Sequence, residues 1–202
     1  MNNTPVDILI IGCGPAGLNL AAQLSAFPDI RTCIVEQKPG RLLLGQADGI
    51  ACRTMEMFEA FNFAERVMKE ACWINEVTFW KPDPQAPQRI LRHGRVQDVE
   101  DGLSEMPHVI VNQVRLQQYL LDRMRDSASR LVPDYGWEFA GLVVEDSGSH
   151  PVVVTLREVA SGTLKTLRAQ YVVGCDGARS QVRAAIGAEL HGDFANHAWG
   201  VV

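Results

Sequence analysis

The chain is short of the features that would direct it to nucleic acid, to a membrane or to an oxidising compartment. Its 19 Lys and Arg are outnumbered by 24 Asp and Glu, a net charge of −5, and no basic run forms a stripe, which argues against a nucleic-acid partner. Arg179 and Arg183, one turn apart, read as a ligand contact or a solvated face. No apolar stretch approaches the ~20 residues of a membrane span. The N-terminus, MNNTPVD, carries no positive charge ahead of the short apolar run at 8–11, so it does not read as a signal peptide. Cysteines at 13, 33, 52, 72 and 175 are odd in number and show no C-x-x-C spacing. Reduced thiols in a cytoplasmic protein fit that pattern better than a disulfide framework. There is no G-x-S-x-G elbow, no Walker A sequence, no internal repeat and no low-complexity segment. His191, Asp193 and His197 match no named zinc spacing, so no metal is expected.

What remains is an ordinary globular composition, 47% apolar and 21% charged over 202 residues, enough for one domain with a substantial core. The apolar, β-branched run VDILII is bounded by Pro5 and Gly12 and reads as a buried strand. Residues 14–27 follow with Leu18, Ala21, Ala22 and Leu24 at helical spacing, and Pro28 stops them. TCIV at 32–35 is a second buried strand, so the first thirty-odd residues form a βαβ unit with parallel neighbouring strands. Residues 53–69 have a helical pattern with Met57, Phe58, Phe61 and Val67 on one side. From about 76 to 111, alternating and apolar runs between turns suggest an antiparallel excursion. A further amphipathic helix is expected over 114–124, then a three-stranded meander whose last strand, ending at YVVG, returns to the parallel sheet. The chain ends on Val201-Val202, which reads as a strand just beginning and suggests an N-terminal part of something longer.

Two motifs carry chemistry. Gly12-Cys-Gly-Pro-Ala-Gly17 fits G-x-G-x-x-G, follows a buried strand and opens a helix, and Glu36 ends the second strand nineteen residues later. Glycines let backbone N–H groups approach a pyrophosphate at the positive end of the helix, while the carboxylate accepts from ribose hydroxyls. This predicts an adenine dinucleotide on Gly12, Gly14, Pro15, Ala16, Gly17, Glu36 and the adjoining Gln37; FAD and NAD share that half, so the motif does not choose between them. The second motif is YVVGCDGARSQVR at 171–183, where an apolar strand runs into Cys175-Asp176-Gly177 and Ser180 is placed to cap a helix. Asp176 can serve a ligand at the sheet's carboxyl edge or simply cap its own turn.

Together with the loop LGQADGIACRTMEMF at 44–58, these motifs resemble the group A flavoprotein aromatic monooxygenases, in particular the branch holding phenol 2-monooxygenase and 3-hydroxybenzoate 4-monooxygenase. The resemblance covers essentially the whole chain. It implies an α/β, Rossmann-like (GR2-type) FAD-binding domain with a parallel sheet plus an antiparallel β-meander, truncated. Residues 1–190 would be the FAD-binding domain, interrupted by antiparallel strands about 76–111, and 191–202 the start of a substrate-binding domain.

The function so implied is hydroxylation of a phenolic ring with bound FAD, NADPH as co-substrate and O2, by way of a C4a-hydroperoxyflavin. Carried over by position, Asp48 faces the phenol and assists removal of its proton. Arg53 holds the flavin's ribityl-phosphate side, Gln46 and Gln113 contact the same cofactor, and Asp176 and Gly177 lie near the pyrophosphate. Gly192-Asp193 is not the family's second FAD signature, which lies downstream, so these residues alone are expected to bind FAD weakly and to be inactive. A homodimer of the longer protein is compatible with the resemblance. A pyridine-nucleotide dehydrogenase and a non-catalytic dinucleotide-binding module are the alternatives.

Overall fold

A computed structural model describes residues 4–45, 47–193 and 195–198. Gln46, and the strand expected to begin at Val201-Val202, lie outside them. In chain order the elements are β1 (Val6–Ile11), α1 (Pro15–Leu24), β2 (Thr32–Glu36), β3 (Gly49–Ile50), α2 (Cys52–Ala60), α3 (Ala64–Glu70), β4 (Cys72–Ile74), β5 (Glu76–Pro82), β6 (Ile90–Gln97), β7 (His108–Ile110), α4 (Gln113–Arg125), β8 (Asp134–Tyr135), β9 (Trp137–Val144), β10 (Val152–Glu158), β11 (Leu164–Gly174) and α5 (Gln181–Ala185). They fall into two compact units, one drawn from Met1–Gly17, Arg31–Pro39 and Pro133–Val202, the other from Leu18–Ile30 and Gly40–Val132.

The first unit is built on a six-stranded sheet of order β8-β2-β1-β11-β10-β9. β1 pairs in parallel with β2 on one side and β11 on the other, and β9, β10 and β11 form the antiparallel meander. The core gathers Leu9 and Ile11 of β1, Val35 of β2, Phe139 of β9, Val154 and Leu156 of β10, Leu167 and Ala169 of β11, and Val182 of α5. Each large aliphatic side chain so buried contributes about 1.5–3 kcal/mol. β11 is long because it serves two partners: its first half alternates against β10, and its second half, Ala169 to Gly174, runs beside β1.

The second unit holds a three-stranded sheet, β3-β7-β4, and a separate two-stranded sheet, β5-β6. α4 buries Leu116, Tyr119, Leu120 and Met124, the i, i+3, i+4, i+8 stripe of an amphipathic helix. Asn112 caps it by accepting from Val114 N–H at 2.9 Å. The expectation of one helix over 53–69 is corrected: α2 ends at Ala60 and α3 starts at Ala64, with Asn62 between them at φ 63°. Left-handed backbone ends a helix, and asparagine tolerates it better than most residues. The break also resets the phase of the buried face. Upstream of it, α2 buries Met55 with Phe58 and leaves Met57 exposed; beyond it, α3 buries Ala64 and Val67. Phe63 in the connection completes the cluster, its ring centroid 4.7 Å from Phe58 and 6.1 Å from Tyr119.

Candidate functional site

In the first unit the parallel strands β1 and β11 end side by side, Ile11 opposite Gly174, so the two motifs meet at the sheet's carboxyl edge. Gly12 donates to Val35 O at 2.8 Å and Cys175 N–H donates to Ile11 O at 2.7 Å, fixing both turns to the strands behind them. Gly12 has φ +104°, and a Cβ there would fall 2.5 Å from Cys175 O. At Gly17, in the first turn of α1, a Cβ would lie 2.0 Å from Gly12 O. These two glycines are required by the protein's own backbone. Gly14 is different: a Cβ would come no closer than 4.0 Å, to Cys175 O, and its φ is unexceptional. Neither conformation nor packing explains that glycine, and the space it leaves would admit the close approach of a ligand to the turn. Pro15 opens α1, where its missing N–H costs nothing, and Ala16 follows it on the exposed side.

Glu36, at the end of β2, accepts from Cys13 N–H at 2.8 Å through one oxygen and from Lys38 N–H at 3.0 Å through the other. Each carboxylate oxygen retains a second lone pair for a hydroxyl, so the group can tie the glycine turn and still receive a ribose. Gln37 is exposed beside it. Burial pushes the Cys13 thiol well above its ordinary range, and Glu36 adds to that; burial and Asp134 push Cys33 up to about 12. Both are protonated at neutral pH, so neither is a nucleophile here.

Asp176 caps its own helix. It accepts from Ser180 Oγ at 2.5 Å, Gln181 N–H at 2.6 Å and Val182 N–H at 3.1 Å, while Ser180 Oγ in turn accepts from Arg183 N–H at 2.9 Å. Of the two uses open to Asp176 in the sequence, the local one is therefore built. Partial burial raises its pKa, but the donors from Ser180, Val182 and Gln181 outweigh this and hold it below the usual carboxylate value. A carboxylate depressed in the folded state stabilises fully above its unfolded pKa and loses that contribution as pH falls through the folded value. Asp176→Ala should therefore cost about 1–2 kcal/mol at pH 7, the scale of a lost helix cap. The gap to wild type should narrow in urea melts at pH 3. An equal gap at both pH values would mean that the lost packing, not the charge, matters. Gly177, at φ +82° with open space around it, turns the chain out of this cap.

In the second unit, Asp48 sits on an exposed loop whose downstream end is pinned: its carbonyl accepts from Val111 N–H at 2.8 Å, and Gly49 pairs with Ile110. Gly45 lies against Gln113, where a Cβ would come 3.0 Å from the Gln113 Cβ and 3.6 Å from Asp48 Oδ1. The loop thus brings Asp48 and Gln113 into one neighbourhood. Arg53, in the first turn of α2, has a side chain 88% exposed, with Glu56 3.8 Å away. A guanidinium at a helix N-terminus is opposed by the helix dipole, so the fold itself does not call for it. His108 on β7, which the sequence did not single out, lies over Gly49 and is held by Asp98 at 2.7 Å through Nδ1. A lone histidine in an alternating strand carries no signal, and its partner ten residues away could not be paired with it from the sequence.

A βαβ unit with a glycine cradle, a strand-ending acid and a second turn abutting it defines a dinucleotide-binding α/β protein. The chain belongs to the FAD-binding domain family, whose model matches residues 5–202. It is 65% identical over 201 residues to the 3-hydroxybenzoate 4-monooxygenase of Comamonas testosteroni, covering 98% of this chain and 32% of that protein. It is 28% identical to the phenol 2-monooxygenase fsqG of Aspergillus fumigatus, covering 98% of this chain and 32% of that one. Among solved structures, the flavin-dependent monooxygenase PieE in complex with FAD and substrate matches with a TM-score of 0.79 at 25% identity, over 96% of this chain and 34% of PieE. The chain thus spans about a third of the length of these relatives. No helix among the described residues is long and apolar enough to cross a membrane.

Proposed function

We propose that this chain is the FAD-binding part of a cytoplasmic monooxygenase that hydroxylates a phenolic ring using NADPH and O2. The observation that carries the reading is the 65% identity to a 3-hydroxybenzoate 4-monooxygenase along essentially the whole chain, and a 3-hydroxylated benzoate is the substrate class it suggests. Residues 1–190 are read as the FAD-binding domain and 191–202 as the start of a substrate-binding domain.

The residues present fit the cofactor. Gly12, Gly14 and Gly17 leave the first turn of α1 open to a pyrophosphate, with Pro15 and Ala16 beside it. Glu36 accepts from the adenosine ribose, with Gln37 next to it, and the Asp176-Gly177 turn borders the same edge. Arg53 would hold the ribityl side, with Gln113 and Gln46 contacting the same cofactor. Bound FAD supplies the activation of oxygen and its transfer to the ring. The protein's own contribution is to orient the phenol and handle its proton, and Asp48 is the carboxylate placed on the loop for that task.

The test uses the product of the complete reading frame that carries these residues. It should purify yellow with FAD, oxidise NADPH faster when 3-hydroxybenzoate is added, and release a dihydroxybenzoate detectable by chromatography. A protein that binds NADPH but no flavin would instead be a pyridine-nucleotide dehydrogenase. Flavin binding without any hydroxylated product from phenols would leave a binding module.

A further inference from the structure

Among the described residues from Arg41 to Asp48, no apolar side chain is fully buried. Leu43 and Leu44 are 80% and 83% exposed and Leu42 is only partly buried, so burial alone does not fix the segment's path. Two glutamines of α4 do. Leu42 N–H donates to Gln117 Oε1 at 2.8 Å, and Arg41 Nη1 donates to Gln118 Oε1 at 2.6 Å. An N–H and a guanidinium can only donate, so both side-chain amides must turn their oxygens toward the loop. That leaves Gln118 Nε2 to donate to Asp122 Oδ1 at 2.8 Å, and Asp122 is itself held by Arg66 at 3.3 Å and Arg125 at 3.1 Å. The middle of the loop rests on Gln113 through Gly45, and its far end is tied to Val111, two residues before α4 begins. Among the described residues, these contacts tie the segment to α4 and to Val111 just ahead of it.

We propose that Gln117 is a positioning residue: it accepts from the Leu42 amide and so sets where the 41–48 loop, and with it Asp48, stands relative to α4. This rests on the reading of Asp48 and Gln113 as parts of the flavin and substrate site. Gln117 itself need not touch either ligand. Its oxygen fixes the entry to the loop, while Val111 fixes the exit. Gln118 backs it by holding Arg41 and is itself braced by the Asp122 pairs.

The experiment is hydrogen exchange, read by mass spectrometry on the product of the complete reading frame, for wild type, Gln117→Met and Gln117→Glu. Methionine keeps the length and removes the acceptor; glutamate keeps an acceptor. In the flavin-free protein, peptides over 41–48 should exchange about five- to tenfold faster in Gln117→Met, the scale of one hydrogen bond. Peptides over α4 should stay protected, because Leu116, Tyr119 and Leu120 remain buried. Gln117→Glu should restore the wild-type rate. With FAD added, Gln117→Met should bind it several-fold more weakly and lose kcat rather than gain KM, and Gln117→Glu should again recover.

Unchanged exchange over 41–48 in Gln117→Met overturns the proposal, as does loosening of α4 to the same extent. A loosened loop with wild-type FAD affinity and kcat overturns the positioning role. The flavin-free exchange does not depend on any hydroxylation, so a wild-type protein that makes no phenolic product would refute the proposed activity without touching this result.

Discussion

Alanine at position 17 is expected to cost about 3 kcal/mol of stability or more and to abolish FAD binding. The added Cβ would fall 2.0 Å from Gly12 O, 3.1 Å from Gly12 C and 3.2 Å from the Cys175 Cβ. A flexible side chain could swing away from such a contact, but a peptide carbonyl cannot. Gly12 is held by its own N–H on Val35 O, and the adjacent Ile11 carbonyl receives Cys175 N–H. Moving the carbonyl therefore strains β1 against both of its parallel partners, and moving the first turn of α1 instead would displace the backbone donors proposed to receive a pyrophosphate. Gly14→Ala is the control. Its Cβ meets only Cys175 O, at 4.0 Å, so stability should stay within about 1 kcal/mol while FAD affinity falls steeply. Denaturant midpoints and FAD fluorescence titrations on both variants separate a glycine the fold needs from one the ligand needs. If Gly14→Ala unfolds as readily as Gly17→Ala, the cradle has been misread.

The sequence made the first unit legible because each of its elements leaves a pattern. VDILII, TCIV and the three meander strands are long enough for run and alternation to register, and Ser180 does cap α5 as its position suggested. β3, β4 and β8 left no trace, since strands of two or three residues have no period to detect. The split between α2 and α3 was hidden because apolar residues continue through it at Phe58, Phe61, Phe63 and Val67, while the residue that interrupts it, Asn62, is unremarkable in composition. Around the candidate site the limits are different. Glu36 could be picked out by its distance from Gly17, but not its bond to Cys13 N–H, which needs the two strands paired. Gln117 and Gln118 on an amphipathic helix look like solvated residues. Only the fold brings the 41–42 backbone to them, across some 75 residues of sequence. Asp176 shows the reverse case: both of its uses were visible, and only coordinates could say that its oxygens are already engaged by Ser180, Gln181 and Val182.

The other large effect is expected at Asp48. On the proposed role, Asp48→Asn should lower kcat about 10²–10⁴-fold at neutral pH with a small change in KM, the usual contribution of a positioned general base. That corresponds to about 3–5.5 kcal/mol of barrier. A neutral phenol is a poor nucleophile through its ring carbons, and passing its proton to a carboxylate raises the electron density that the oxygen transfer requires. Asparagine keeps the shape and one acceptor oxygen but cannot take the proton. The loop should keep its path, because Asp48 contributes its backbone carbonyl to Val111 and that bond survives the change. The diagnostic lies in pH. Phenols ionise unaided near pH 10, so the variant's kcat should climb about tenfold per pH unit as the substrate supplies its own anion, and should approach wild type where ionisation is complete. A loss that is flat with pH would make Asp48 a binding or positioning group and shift the base elsewhere. Full activity at pH 7 would remove the carboxylate from the mechanism, and the partly buried pair of Asp98 and His108 would then be the next residues to replace.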